Sequence, residues 1–225
     1  MPIVAIQGMR LRSTLQLLPA AGGPTTGTAD AAGSPAVRLS VIGESTATGA
    51  GVDTQDAGFS GCLARELAAR TGRPVEWEAV GQHGATTRRI RHRLLPQVAT
   101  NLSVAVLLAG GNDVLGKRSP AEWGAELSAI VDDLIDRADQ VVVSGLPPFS
   151  DFPALPAIFG RYLAERANAF DEVTRQVCAD RPRATMTDSA DILPVGPDFF
   201  AADGFHPSAS GYRQWAESVA DYVKL

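Results

Sequence analysis

The chain has 225 residues, room for one large domain or two small ones, and 45% of them are hydrophobic, an ordinary share for a protein with a full core. Its 20 Lys and Arg against 25 Asp and Glu leave a net charge of -5, so overall charge offers no attraction to nucleic acid or to an anionic membrane. No run approaches the roughly 18 apolar residues of a transmembrane helix, and Gln7, Arg10, Arg12, Ser13 and Gln16 break the N-terminal apolar stretch, which makes a poor signal peptide. The expected location is therefore the cytoplasm.

Residues 1–18 carry apolar groups enough to lie against a body, and residues 19–36, rich in Gly, Ala, Thr and Pro, read as an irregular arm or linker. The folded domain is expected over residues 37–225. Val37, Leu39, Val41 and Ile42 mark a first strand that stops at Gly43-Glu44-Ser45. Phe59, Leu63 and Leu67 share a helical face, with Gly72 as its stop. Residues 75–80 alternate as a strand, and residues 86–98 read as a helix with Ile90, Leu94 and Val98 on one side. Residues 103–109 are nearly all apolar, as a strand buried on both faces requires. Ser119, Pro120 and Glu122 make a capping box with proline at the first helical position. Residues 140–145 form another buried strand, residues 157–179 a long helix, and residues 183–187 a short fifth strand. Ser208 is placed to cap a last helix bearing Tyr212, Trp215 and Val219. Five short strands alternating with helices predict a three-layer α/β sandwich, doubly wound around a five-stranded parallel sheet. Cys62 and Cys178 fall in helices far apart in sequence and read as small buried hydrophobes rather than as a disulfide or metal pair.

In such sheets functional groups sit just beyond the carboxyl ends of the strands. The residues there are Glu44 and Ser45 after the first strand, Gly81 and His83 after the second, and Asn112 and Asp113 after the third, while Asp203 and His206 precede the last helix. Together they supply the parts for acyl transfer. A serine hydroxyl is a weak nucleophile until a base takes its proton. Histidine can take and return that proton, and a carboxylate fixes its tautomer. The oxyanion that forms needs preorganised donors, for which the N–H groups of Ser45 and Gly81 and the side-chain amide of Asn112 are candidates. Asp188 and Asp191 compete with Asp203 as the acid, but Asp203 stands three residues from His206 and reaches it through local backbone alone.

The order Gly-x-Ser, Gly, Gly-x-Asn-Asp and Asp-x-x-His resembles the SGNH hydrolase superfamily, also called GDSL esterases, over residues 37–225. The resemblance implies a flavodoxin-like strand order and a serine esterase acting through an acyl-enzyme. It implies Ser45 as nucleophile, His206 as base, Asp203 as acid, and Ser45, Gly81 and Asn112 as the oxyanion hole. One departure stands out: the family usually has Asp before the serine, and this chain has Glu44.

Residues 146–160 are long for a connection, and long loops are often functional. Phe149, Phe152 and Phe159 there are candidates for an acyl-binding wall, the alternative being that they pack on the core; His83 is a further candidate for the cleft. The run Arg88, Arg89, Arg91, His92, Arg93 reads as a solvated helix face. Gly111 to Lys117 fits a phosphate-binding loop, but Arg118 stands where Ser or Thr must hold Mg²⁺. The remaining alternatives are a thioesterase, a carbohydrate deacetylase or an acyltransferase on the same triad, and a non-catalytic ligand-binding module. The expected partner is a small-molecule acyl ester. No metal site and no cofactor are indicated, and the oligomeric state is not legible.

Overall fold

The structure is a computed structural model, and it describes residues 7, 18–188, 190, 195–196 and 198–225. Six strands form one sheet: β1 (Thr26–Ala29), β2 (Val37–Gly43), β3 (Val75–Gly81), β4 (Leu102–Leu108), β5 (Ala138–Val143) and β6 (Ala184–Met186), in the order β1-β3-β2-β4-β5-β6. The last five are parallel, and among themselves their order is the flavodoxin-like one implied by the sequence.

Alternation along the central strands sorts the core into two layers. Leu39 and Val41 of β2, with Val104, Val106 and Leu108 of β4, face α1 (Phe59–Thr71) and α6 (Ala209–Ala220). Ile42 of β2, with Ala105 and Leu107 of β4, faces the other layer, built from α4 (Pro120–Ile135) and α5 (Ala157–Ala179). The capping box of α4 is present, with Ser119 accepting from the Glu122 N–H, and Ser208 caps α6 by accepting from the Gly211 N–H.

Two elements differ from the sequence reading. Thr26–Ala29, assigned there to a linker, is an antiparallel edge strand on β3, so the sheet has six strands rather than five. Its partner defines it: Gly27 lies opposite Trp77, and a Cβ at Gly27 would stand 2.6 Å from the indole. The helix expected over residues 86–98 is instead a short α2 (Thr87–Arg89), a π turn (Ile90–Leu94) and a 3-10 turn (Leu95–Gln97). Pro96 has no N–H to continue an α-helical ladder, and Leu95 donates back to Ile90 across the wider turn.

The carboxyl ends of β2, β3 and β4 lie level, since Gly43 is in register with Gly81 on one side and with Leu108 on the other. Gly43 is fitted to that junction, because a Cβ there would stand 2.1 Å from the Leu108 carbonyl oxygen. Gly43→Ala must push β2 and β4 apart at their most crowded point. It is expected to destabilise the fold by about 1–3 kcal/mol or more, read as a lowered denaturation midpoint in urea. An unchanged midpoint would mean that the junction is loose.

Candidate active site

The chain leaves β2 in a tight turn. Glu44 donates its N–H to the Leu108 carbonyl, and Thr48 and Ala50 donate theirs back to the Ser45 carbonyl. The Thr48 hydroxyl also donates to that carbonyl at 2.7 Å, and Tyr212 on α6 ties the end of the turn by donating to the Ala50 carbonyl at 2.7 Å. Ser45 is thereby held at the sheet edge, half-buried, with its hydroxyl turned to the segment before α6.

That segment brings an imidazole. His206 Nε2 lies 3.0 Å from Ser45 Oγ, and His206 Nδ1 lies 2.7 Å from Asp203 Oδ2. The carboxylate contact fixes Nδ1 as the protonated nitrogen and leaves Nε2 to accept the serine proton. Asp203 is itself tied down: its Oδ1 accepts from the N–H groups of Phe205 and His206 at 2.9 Å each. Burial pushes the Asp203 carboxyl up, but the hydrogen bonds from His206 and Phe205 outweigh it and hold the pKa below its ordinary value. Gly51, with φ +103, allows the approach of this segment, since a Cβ there would stand 2.2 Å from the Pro207 carbonyl oxygen.

Two further groups lie beside Asp203 and His206, one from the arm and one from the turn after β3. The Leu18 N–H, from the arm, reaches Asp203 Oδ2 at 3.3 Å. His83 sits behind the turn that carries Ser45, its Nδ1 3.2 Å from Thr48 Oγ1 and its ring 5.7 Å from that of His206. Burial, then the nearby His206, lower the pKa of His83.

The other wall belongs to α3 (Gly111–Leu115), which begins just past β4. Glu44 turns its carboxylate under this helix. Its Oε1 accepts from the Gly111 N–H at 3.1 Å, and its Oε2 accepts from the Asn112 N–H at 3.1 Å and from Asn112 Nδ2 at 2.5 Å. Asn112 Nδ2 also donates to the Ala85 carbonyl at 3.1 Å. The N–H groups that a phosphate-binding loop would aim at its ligand are thus held by a carboxylate of the chain itself. Burial pushes the Glu44 pKa from 4.5 up to about 7; Asp113 adds to the rise, against the hydrogen bonds from Asn112 and Gly111. Asp113, fully buried, accepts from the N–H and the hydroxyl of Thr87 at 2.8 Å each and so fastens α3 to the turn after β3.

A cleft enclosing about 730 Å³ of empty space, part of it open to solvent, runs from Ser45 and His206 between these walls. Phe149, Phe152, Phe200, Phe205 and Leu115 line it. Phe152 is the hub, with the rings of Phe149, Phe200 and Phe205 at 5.3, 5.0 and 5.3 Å. The Leu146 N–H donates to the buried Asp171 of α5, which anchors the start of this loop.

The residues singled out in the sequence divide accordingly. Ser45, Asp203 and His206 converge, Asn112 faces the same cleft, and Phe149 and Phe152 line it. Phe159 does not line it; it packs into the core and stacks on Tyr162. His83 stands behind the triad rather than in the cleft. Gly81 belongs to β3, where Ala79 donates toward β1 and Gln82 toward Gly43, so by alternation the Gly81 N–H faces the β1 edge, away from Ser45. Asp188 does not line the cleft, its N–H is bonded to the Tyr222 hydroxyl, and Asp191 lies outside the described residues. Among the described residues no cluster of His, Cys, Asp or Glu is arranged to hold a metal, and no helix is long and apolar enough to cross a membrane. Phe199, Phe200 and Phe205 were within reach of the sequence: three aromatics in seven residues beside the Asp–His pair are more than a turn requires.

Residues 41–214 match the model of the GDSL-like lipase/acylhydrolase family. The chain belongs to that family. It is 28% identical over 196 residues to a GDSL-like esterase of Mycobacterium tuberculosis, a match that takes in 80% of this chain and 60% of that protein's length. Among solved structures it resembles TesA, with a TM-score of 0.66 and 23% identity over 83% of this chain and 98% of that one. It also resembles a mutant of Axe2, an acetyl-xylooligosaccharide esterase of Geobacillus, with a TM-score of 0.61 and 16% identity over 84% of this chain and 94% of that one.

The two aromatic positions make opposite forecasts. Phe152→Ala opens the cleft and is expected to change the relative rates on p-nitrophenyl esters of different chain length. Phe159→Ala removes a core ring and is expected to cost about 3–5 kcal/mol of stability while leaving those relative rates alone. Equal losses on every chain length for Phe152→Ala would assign that ring to packing.

Proposed function

We propose that this protein is a serine esterase that hydrolyses small to medium acyl esters through an acyl-enzyme. The observation that carries the reading is the unbroken relay from Ser45 Oγ to His206 Nε2 at 3.0 Å and from His206 Nδ1 to Asp203 at 2.7 Å, opening on an aromatic cleft. His206 takes the Ser45 proton as Oγ attacks the ester carbonyl. The imidazolium, steadied by Asp203, returns the proton to the departing alkoxide, leaving the acyl group on Ser45. Water, deprotonated by His206, attacks that ester; the acid leaves and Ser45 recovers its proton.

The oxyanion of each tetrahedral intermediate needs donors. The Ser45 N–H has no partner among the described residues, and Asn112 borders the cleft. Since the Gly81 N–H points away, the glycine better suited is Gly84, whose N–H is also unpartnered among the described residues and whose neighbour Ala85 holds the Asn112 amide. Cleavage of a thioester, removal of an acyl group from a sugar, or transfer to an alcohol would use the same acyl-enzyme. The apolar lining supports an acyl chain over a sugar-borne acetyl group. An intact triad speaks against a non-catalytic binding module.

A panel of p-nitrophenyl esters of rising chain length tests the substrate class. Hydrolysis is expected, with a preference for chains longer than acetyl. Ser45→Ala is expected to abolish turnover with the fold intact, and a phosphonate is expected to label Ser45 alone. An adduct on another serine would overturn the assignment. Asp203→Asn is expected to slow turnover of one ester by up to about 10⁴, with His206→Ala at least as damaging and Asp188→Asn without effect. A fall in Asp188→Asn as deep as in Asp203→Asn would contradict the choice of acid.

A further inference from the structure

We propose that Glu44 is the positioning residue for the oxyanion side of this site, and that it acts as an anion, so that the active form requires two deprotonated groups, Glu44 and His206. The proposal rests on the esterase reading above. Its basis is how completely the Glu44 carboxylate is used. Three N–H groups converge on it, two from the main chain of Gly111 and Asn112 and one from the Asn112 side chain, and all three belong to the wall that faces Ser45. Glu44 adjoins the nucleophile in sequence, and its own N–H is pinned to the Leu108 carbonyl. One residue thus sets the spacing between Ser45 and Asn112.

An ionised carboxylate offers only acceptors, which suits three donors. A protonated one carries an O–H that must find an acceptor of its own where it now meets N–H groups. Protonation therefore sets Glu44 against Asn112 and loosens the amide that the oxyanion needs. The surroundings bring this change into the working range. Asp113, buried in α3, is the charged group acting on Glu44, and Arg118 lies beyond it, its Nε 3.6 Å from Asp113. His206 faces the same cleft from the segment before α6, and His83 stands behind the turn. No cation is set against it among the described residues, and burial raises its pKa to about 7.

The second amide hydrogen of Asn112 goes to Ala85, so both are committed in the resting geometry. A developing oxyanion must share the amide with Glu44. One oxygen of this carboxylate meets both the main chain and the side chain of Asn112.

The test is the acid limb of kcat/KM against pH, from pH 5 to 8, for the wild type, Glu44→Gln and Glu44→Asp, with phosphonate labelling of Ser45 on each. The wild type is expected to approach a slope of 2. Glu44→Gln removes one ionisation, so its slope is expected to be 1, with kcat lowered at least about tenfold on its plateau and KM changed far less. Glu44→Asp keeps a carboxylate and is expected to restore the second ionisation and part of kcat. Stability supplies a readout apart from activity. The folded protein holds the Glu44 proton to higher pH than the ordinary 4.5, so ionisation draws on stability between pH 4.5 and about 7. The Tm of Glu44→Gln relative to wild type is therefore expected to rise from pH 5 to 8. A slope of 1 in a wild type that still labels at Ser45, or a slope of 2 kept by Glu44→Gln, would overturn the role of Glu44 and leave the esterase reading standing. Failure of the wild type to label at Ser45 would overturn both.

Discussion

The site depends on one close approach, that of β2 to β4 at Gly43 and Leu108. The missing side chain at Gly43 lets the strands end side by side, and the Glu44 N–H then closes onto the Leu108 carbonyl. From that point the chain has to turn. Glu44 goes inward under α3 and Ser45 outward to the lip. Ser45 and the wall opposite it are therefore spaced by backbone, which in a packed interior yields little. A site on the ends of strands has this advantage over one carried by loops alone.

The two sides of the site are stiffened differently. On the His206 side the supports are local: Asp203 receives two N–H groups and an imidazole from residues within three positions of itself, and among the described residues the Leu18 N–H is the one hydrogen-bond donor to it from afar. Such a turn forms wherever the segment is placed, so its position is left to contacts such as Gly51 against Pro207. On the Asn112 side the supports are long-range and charged, Glu44 to α3 and Asp113 to Thr87. Carboxylates drawn out of water are costly unless well bonded. Their burial here holds the wall in one arrangement at the expense of stability, a familiar exchange at functional sites.

Most of this was legible in the sequence, for physical reasons. Residues 103–109 had to be a buried strand because all but Ser103 are apolar, and Ser119 with Glu122 had to begin a helix because the cap is chemically complete. Ser45, Asp203 and His206 were legible because topology gathers strand ends on one edge. What escaped depends on partners. Thr26–Ala29 is a strand through its pairing with β3, where Gly27 leaves room for the Trp77 indole. Gly81 and Gly84 look alike as letters, and only the phase of the ladder tells which N–H is turned away. Phe152 and Phe159 are seven residues apart in one apolar segment, and tertiary packing alone sends one to the cleft and the other to the core. The Leu18 contact involves a main-chain group and has no side-chain signature.

The most direct test is a crystal structure of the protein inhibited with an alkyl phosphonate. Phosphorus is expected on Ser45 Oγ, its phosphoryl oxygen within hydrogen-bond distance of the Ser45 N–H and Asn112 Nδ2, and its alkyl chain among Phe149, Phe152 and Phe205. Phosphorus on another side chain, or a phosphoryl oxygen turned away from Asn112, would contradict the arrangement at its centre.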